Sequence, residues 1–250
     1  MTRSVIKTRI RHDLGVSDTD VFSDANLHTL IDEAALDLAK RGKALIIGSS
    51  TWSAVASTQR YVISGESAQV SNFLEIYWPA GGVVYTQSSG NTKTAPKDFQ
   101  FVSESWLDLR IPGWQDASAS DTLNKVFLSY DSSGNLTLGV YPKSSTTTPT
   151  FKLWYISRGT NMTDDTHYPW TGSTTLLTHL EPYMKLIPFY CLWQLHALKT
   201  FNEKAEIKYR DLYLAGAAEM AISQDAVFAA NIEGLRAEAM VAPGETFGSN

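Results

Sequence analysis

The sequence predicts a mixed α+β fold in which helices from both ends of the chain form one helical bundle. An antiparallel β-module of sandwich or barrel type is inserted between them. Apolar residues recur with the helical period before residue 45 and after residue 174, and with a period of two in between. The strands cluster in one stretch instead of alternating with helices, which disfavours a mixed sheet covered by helices. Two helices at each end cannot bury their apolar faces alone, so packing them together is the simplest solution.

Two helices are expected at the N-terminal end. Residues 2–14 place apolar side chains on one face, and Gly15 can end this helix in the left-handed conformation. In the second helix Ser23 has the side chain of an N-cap, Asp24 suits the positive end of the helix dipole, and Gly42 follows the basic residues of the last turn. Its core-facing stripe includes Leu27, Ile31 and Leu38.

Residues 46–160 are expected to form roughly six to nine short strands. The clearest signal is a hairpin over residues 125–142, in which two alternating strands flank a loop that contains Gly134. The segment FKLWYISR, which follows Pro149, predicts a further strand that runs antiparallel to its neighbour. A polar linker over residues 159–175 then returns the chain to helix.

Residues 174–223 predict two long helices joined near residues 200–202. Thr178 and Glu181 have the spacing of a capping box, in which each side chain reaches the other's free backbone amide. Pro188 predicts a kink or a short break, because proline removes an amide donor and clashes with the preceding turn. The core-facing stripe of the first of these helices includes Leu180, Ile187 and Leu195.

The chain therefore divides into N-terminal helices (1–45), an inserted β-module (46–160), C-terminal helices (161–223) and a tail (224–250). The tail has two interpretations: it is a frayed terminus, or it becomes ordered by docking on a partner. In the second interpretation the docking residues are its large apolar side chains: Phe228, Ile232, Leu235, Met240 and Phe247.

Composition and charge exclude several classes of protein. At 43% hydrophobic residues the chain can bury a core, and its single cysteine, Cys191, allows no internal disulfide, which indicates a reducing compartment. The net charge of −5 arises in residues 161–250, and no basic patch suits tight duplex binding. The N-terminus lacks the apolar segment of a signal peptide, and no apolar run is long enough for a membrane span, so we expect a soluble protein made in a cytoplasm.

No catalytic motif, cofactor motif or metal site is predicted. The chain contains no P-loop, dinucleotide-binding glycine motif, zinc-protease motif or nucleophile elbow. Asp164, Asp165 and His167 form its one carboxylate–imidazole cluster, and further ligands at suitable spacing are missing, so linker composition explains the cluster better than a metal does. His196 is interpreted as a hydrogen-bonded helix residue and Cys191 as a core residue, because neither has an obvious catalytic partner.

The opening stretch RIRHDLGVSDTDVFSDANLHTLIDEAALDLAKRG resembles the start of head-to-tail adaptor (connector) proteins of tailed bacteriophages. These proteins commonly begin with a short arginine-bearing helix, an acidic turn with a phrase like FSDANL, and a helix of IDEAALDLA character. The phrase TQRYVIS, the pair Tyr141–Pro142, the strand FKLWYIS and an aromatic helix near IPFY follow in the same order. The resemblance covers most of residues 3–215 and is weakest after Ser223.

This resemblance implies a structural virion protein with no catalytic residues and no cofactor. It implies a ring, usually of twelve copies, that binds beneath the portal protein, extends the DNA channel and presents a platform to tail or nozzle proteins. Such a protein is made in the bacterial host's cytoplasm and is located in the neck of the virion. The helical part then forms the ring body and the tail docks on the portal, while DNA passes through without specific binding, which suits the absence of a basic patch.

Two alternatives stay open. In the first, the β-module binds or hydrolyses glycans as part of the virion tail, with tryptophans such as Trp106 and Trp114 stacked on sugar rings. Glycan binding that is lost on replacing either tryptophan would favour it. In the second, the chain is a neck or tail-completion protein from another layer of the virion, with the same composition and different neighbours.

Overall fold

The computed structural model describes residues 1–16, 22–49, 51–64, 70, 72–77, 82–94 and 98–240, with the backbone alone for residues 230–240. This part of the chain has a mixed α+β fold with two β-sheets, as predicted, and neither described sheet closes into a barrel. Its α-helices are α1 (Arg3–Leu14), α2 (Asp24–Arg41), α3 (Glu104–Arg110), α4 (Leu186–Leu195) and α5 (Glu203–Met240).

The two N-terminal helices lie where the sequence predicts them. α1 is followed by Gly15, whose φ of 67° is left-handed. α2 begins after Ser23, whose hydroxyl accepts a hydrogen bond from the amide of Asn26 at 3.3 Å. The first amides of α1 have no partner within the helix. Those of Arg3 and Ser4 instead donate hydrogen bonds to backbone carbonyls of the linker that precedes α4.

The β-module consists of two open sheets. Its strands are β1 (Ile46–Gly48), β2 (Trp52–Ser53), β3 (Arg60–Val62), β4 (Phe73–Ile76), β5 (Val83–Thr86), β6 (Thr92–Thr94), β7 (Gln100–Phe101), β8 (Lys125–Tyr130), β9 (Leu136–Tyr141) and β10 (Thr150–Ser157). In the first sheet β10 is central and pairs antiparallel with β1 and β2 on one edge and with β4 and β5 on the other, while β6 extends the sheet from β5. The second sheet has the order β3-β9-β8-β7, in which only β7 and β8 are parallel.

The predicted hairpin is confirmed as β8 and β9, joined by a loop in which Gly134 has a φ of 80°. The predicted strand FKLWYISR is β10, and it is antiparallel to its neighbours as expected. Those neighbours are the short strands of residues 46–86 and not the preceding hairpin, so β10 belongs to the other sheet. The structure describes ten strands where six to nine were expected, and α3, β6 and β7 were not predicted, because such short elements contain too few residues for a periodic signal.

Aromatic side chains fill the interior of the β-module. Phe151 of β10 lies 5.0 Å from Tyr61 of β3, measured between ring centroids, and this contact joins the two sheets. In β9, Gly139 leaves room for the ring of Phe127, since a Cβ at this position would lie 2.1 Å from it. The β-module therefore has a hydrophobic core of its own, separate from the core of the helices.

The long helix predicted from residue 178 is interrupted. Thr178–Tyr183 form a 3-10 helix, α4 begins only at Leu186, and Pro188 lies in its first turn. A kink or short break was predicted at Pro188, and the structure has the break earlier, before α4 begins. Pro188 itself is tolerated in the first turn, because its missing amide has no helical partner there. The predicted joint near residues 200–202 is confirmed: a π-helical turn, His196–Thr200, leads to Phe201, whose φ of 52° forms the corner into α5.

Helices from both ends of the chain share one hydrophobic core. α4 contacts α1, α2 and α5. The linker joins this core as well, since Trp170 is buried and donates its indole N–H to the carbonyl of Ala35 at 2.9 Å. The six residues predicted to face the helical core are all buried in it: Leu27, Ile31, Leu38, Leu180, Ile187 and Leu195.

Candidate interaction surface

Helix α5 carries the predicted docking residues. It runs as a single helix over Glu203–Met240, and a helix of 38 residues is about 57 Å long. Its first half packs against α4, and Tyr213 and Met220 of its inner face are fully buried. The two helices approach closely because Gly216 faces Leu186, where a Cβ on the glycine would lie 2.3 Å from the leucine Cδ2. The start of α5 is therefore a fixed part of the helical core.

Polar and aromatic contacts fix the second half of α5 to the β-module. The carboxylate of Asp225 accepts hydrogen bonds from the ammonium of Lys43, at 2.6 Å, and from the hydroxyl of Tyr77. Burial and the nearby carboxylate raise the pKa of Tyr77, so its hydroxyl keeps the proton that it donates. The ring of Phe228 meets Tyr77 and Trp154 edge-on, with centroid distances of 4.9 and 5.1 Å. We call these five residues the anchor cluster.

The predicted docking residues begin within this cluster. Phe228 is the first of them, and its side chain contacts the β-module of its own chain. Ile232, Leu235 and Met240 lie on the described backbone of α5, whereas their side chains, and the whole of Phe247, lie outside the described residues. The tail is thus helical to Met240, as its spacing indicates, and the docking role of the residues beyond Phe228 stays a prediction.

The exposed side of α5 also carries a line of apolar residues. Ile207, Leu214, Ala218 and Ile222 follow one another at steps of seven, four and four residues, which places them along one line of the helix. The three larger side chains are between 38% and 72% exposed. Charged residues such as Lys208, Asp211 and Glu219 flank this line, and exposed apolar side chains that lie together within a charged surface are typical of contact sites. The four apolar residues, which we call the outer stripe, are therefore a candidate contact surface.

A second exposed apolar region lies at the corner between α4 and α5. Leu198 is 65% exposed and Phe201 is 81% exposed. The left-handed φ of Phe201 is unfavourable for a residue with a Cβ, and such strain is concentrated at functional sites. A groove of about 320 Å³ adjoins this corner, and its apolar walls are Phe22, Leu27, Leu30, Leu195 and Leu198.

An ionic network joins α1, α2 and the linker before α4. The ammonium of Lys7 lies 2.9 Å from a carboxylate oxygen of Asp24 and 2.7 Å from one of Asp165. Hydrogen bonds from Lys7 and Arg11 lower the pKa of Asp24 to about 2. His28 Nε2 lies 3.2 Å from the other oxygen of Asp165. Asp24, His28 and Asp165 are close enough to share a cation, but the Lys7 ammonium already contacts both carboxylates, so we assign a salt-bridge network here.

The predicted cluster of Asp164, Asp165 and His167 also has a structural role. The backbone carbonyls of Asp165 and His167 accept the amides of Ser4 and Arg3, both at 3.0 Å, and so complete the first turn of α1. This supports the interpretation of the cluster as a linker feature. Sequence spacing could not reveal this contact, because the start of α1 and the linker before α4 are far apart in the sequence.

His196 and Cys191 have the structural roles that the sequence predicts. Nδ1 of His196 lies 2.7 Å from the hydroxyl of Thr200, and its ring stacks on that of Tyr209. Burial lowers the pKa of His196, which favours the neutral imidazole. The thiol of Cys191 is fully buried, and burial raises its pKa, so the reactive thiolate is disfavoured.

The two tryptophans considered for glycan stacking differ in exposure. Trp114 is 2% exposed, donates its indole N–H to Asp108 at 2.8 Å and packs edge-on against Phe127. The stacking role predicted for Trp114 is therefore wrong, because its ring is enclosed by its own chain. Trp106 is 36% exposed, and the ammonium of Lys125 lies 5.6 Å from its ring centroid. Of the two, only Trp106 reaches the surface.

The comparisons with protein families and curated proteins assign no function to these surfaces, so we interpret the surfaces from their chemistry. No protein-family model matches the sequence, and no curated protein matches it either. Within the part of the chain that the structure describes, none of the helices combines the length and the apolar composition needed to cross a bilayer.

Proposed function

We propose that this protein is a structural component of a virion, a head-to-tail adaptor of a tailed bacteriophage. In this proposal it assembles as a ring beneath the portal protein, extends the DNA channel and offers a platform to tail or nozzle proteins. The observation that carries the proposal is the continuity of α5. One helix leaves the helical core, is fixed to the β-module by the anchor cluster, and continues to Met240 with the predicted docking positions. Because one continuous helix carries the docking positions, their orientation relative to the rest of the molecule is fixed.

In the proposed ring, helices from both chain ends form one bundle that serves as the ring body. Their shared hydrophobic core supports this arrangement. The outer stripe and the exposed corner at Phe201 supply apolar surface for contacts with other chains. A channel that DNA passes through requires a wall that does not hold phosphates, and the net charge of −5 is consistent with that requirement. The function needs no cofactor.

The docking role is tested by pull-down of the purified chain with the portal protein of the same phage. The double variant Ile232→Asp, Leu235→Asp places two charges in the predicted docking segment. We expect portal binding to be lost and the melting temperature to be unchanged, because both positions lie beyond the anchor cluster. The matched control is Ala229→Asp, which adds a charge at an exposed position of the same helix and should leave portal binding intact.

Two outcomes would contradict the proposal at different levels. If the double variant binds the portal as well as the unchanged protein does, the tail is not the docking segment. If electron micrographs of the unchanged protein mixed with portal show no added ring, the adaptor function itself is wrong. Binding to tail proteins in the absence of portal binding would indicate a neck protein of another layer.

A further inference from the structure

We propose that the outer edge of β1 and the groove beside it form a binding site for an extended, uncharged peptide segment of another protein. The bound segment adds one strand to the first sheet. Three observations carry the inference: a strand edge without a partner, a buried amide without a hydrogen bond, and apolar walls that disfavour charge. The contact is separate from the proposed portal docking of the tail, and the inference does not depend on the adaptor function.

Strand β1 is paired on one side only. The carbonyl of Leu45 and the amide of Ser49 both form hydrogen bonds with β10. Because backbone groups alternate in direction along an antiparallel strand, those of Ile46 and Gly48 point away from β10. Within the residues that the structure describes, no strand pairs with this outer side. The strand also lacks the lysine or proline that commonly protects a free edge, so it offers backbone donors and acceptors to an extended peptide.

A groove of about 320 Å³ lies between β1 and α5. Its apolar walls include Ile46, Ile47, Val227 and Phe228. A Cβ on Gly48 would lie 3.0 Å from the ring of Trp154, which contacts Phe228 of α5, so this face of β1 is turned towards α5. Side chains of an added strand alternate between the two faces of the sheet. Every second side chain of a bound peptide therefore points into the groove.

One polar side chain in the groove has no partner. Gln224 of α5 is 8% exposed, and within the described part of the chain its amide forms no hydrogen bond. An unpaired buried amide is unfavourable for the free protein. A side-chain amide has both donors and an acceptor, which match the carbonyl and the N–H of a peptide backbone. A bound peptide strand can therefore satisfy Gln224, whereas a purely apolar occupant cannot.

The charges around the groove favour an uncharged segment. Among the described residues that line it, only His179 is titratable, and it is exposed at the rim. The neighbouring charges of Lys43 and Asp225 are already paired at 2.6 Å. A charged side chain that entered the groove would lose its water without gaining a counter-ion. Because the groove has walls on two sides, it suits a single peptide strand better than the sheet edge of a second copy.

Fluorescence polarisation of the full chain with a labelled, end-blocked peptide of seven residues that alternates threonine with leucine tests the site. We expect saturable binding. Two further peptides carry N-methyl groups on the leucine amides or on the threonine amides, which face opposite edges of an extended strand. One of them should bind at least tenfold more weakly and the other nearly as well as the unmodified peptide, because only one edge faces β1. Replacing the leucines by aspartate should also weaken binding at least tenfold.

Variants of the protein test the groove. Gln224→Met keeps the length of the side chain and removes the amide, so it should weaken peptide binding about tenfold while the melting temperature stays unchanged or rises. A glutamine with a purely structural role would lower the melting temperature and leave binding unchanged. Val227→Asp places a charge in the groove wall and should abolish binding. Ala226→Asp, at the exposed neighbouring position, is the matched control and should bind as the unchanged protein does.

Several results would overturn the proposal. Equal binding of the two N-methylated peptides would show that the contact does not use the backbone edge, and equal loss from the two aspartate variants would place the contact outside the groove. A chain that binds none of the peptides has no such site, and if sedimentation shows that it dimerises instead, a second copy occupies the edge. Melting curves establish that each variant is folded. Portal binding plays no part in these measurements, so the peptide site and the adaptor function can fail independently.

Discussion

At the residue scale, Asp225 connects two parts of the molecule that have separate cores. Its carboxylate accepts from Lys43, which follows α2, and from Tyr77, which follows β4. The Lys43 ammonium also lies 5.5 Å from the centroid of the Tyr77 ring. Hydrogen bonds to a charged group are stronger than those between neutral groups, and Phe228 adds apolar contact one turn further along α5. The polar and the aromatic contacts of the anchor cluster therefore act together.

The aromatic part of the anchor cluster is tested by Phe228→Ala. We expect the free energy of unfolding to fall by about 2 kcal/mol, less than for a fully buried phenylalanine, because this ring is only half-buried. Urea unfolding followed by tryptophan fluorescence measures the change. Val227→Ala, at the exposed neighbouring position, is the control and should cost less than about 1 kcal/mol. Equal losses from the two variants would show that the ring of Phe228 is not an anchor.

The ionic network predicts an acid-sensitive contribution to stability. Hydrogen bonds from Lys7 and Arg11 hold the pKa of Asp24 at about 2 in the folded chain, below its ordinary value of 3.8. A depressed carboxyl pKa stabilises the fold above pH 4, and the contribution disappears as the pH falls towards 2. We expect Asp24→Asn to be less stable than the unchanged protein at pH 6 and to differ from it less at pH 2.5. Urea midpoints at both pH values measure this, and a constant difference would contradict it.

At the element scale, the corner between α4 and α5 places a strained residue on the surface. Phe201 has a left-handed backbone and an almost free side chain. Phe201→Gly removes the steric cost of this conformation and loses little packing, so we expect it to raise the free energy of unfolding by about 1 kcal/mol. Phe201→Ala is the control: it deletes the ring but keeps the Cβ, and should not stabilise. A thermal melt in which the glycine variant is the less stable of the two would refute this explanation.

The elements also show which features a sequence can predict. Ser23, Gly15 and Gly134 mark the helix ends and the hairpin correctly, because capping and turn formation depend on neighbouring residues. The partners of β10 could not be derived, because strand pairing across the chain leaves no local signal. The contact between Phe228 and Trp154 was missed for the same reason. The apolar spacing of the tail correctly predicted a helix. This spacing cannot distinguish a contact within the chain from a contact with a partner.

At the scale of the whole molecule, α5 spans parts that the sequence separates. It begins against α4 in the helical core and reaches the β-module at Asp225 and Phe228. Its outer stripe is exposed along the first part of the helix, and Asp225 lies on the same side, where the helix meets Tyr77. A single helix thus combines a contact that joins the helical core to the β-module, an exposed apolar stripe, and the predicted docking segment. These features occupy successive lengths of the helix, so they can be removed one at a time.

Two truncations separate the strut from the docking segment. A chain that ends after Ala229 keeps the anchor cluster and should unfold at about the same urea concentration as the full chain. A chain that ends after Ser223 leaves Lys43 and the Tyr77 hydroxyl without their acceptor, which should cost about 2–4 kcal/mol. Neither chain should bind the portal, because both lack the predicted docking residues beyond Phe228. Equal unfolding midpoints would show that α5 does not stabilise the contact with the β-module, and portal binding by the longer truncation would place the docking surface before residue 230.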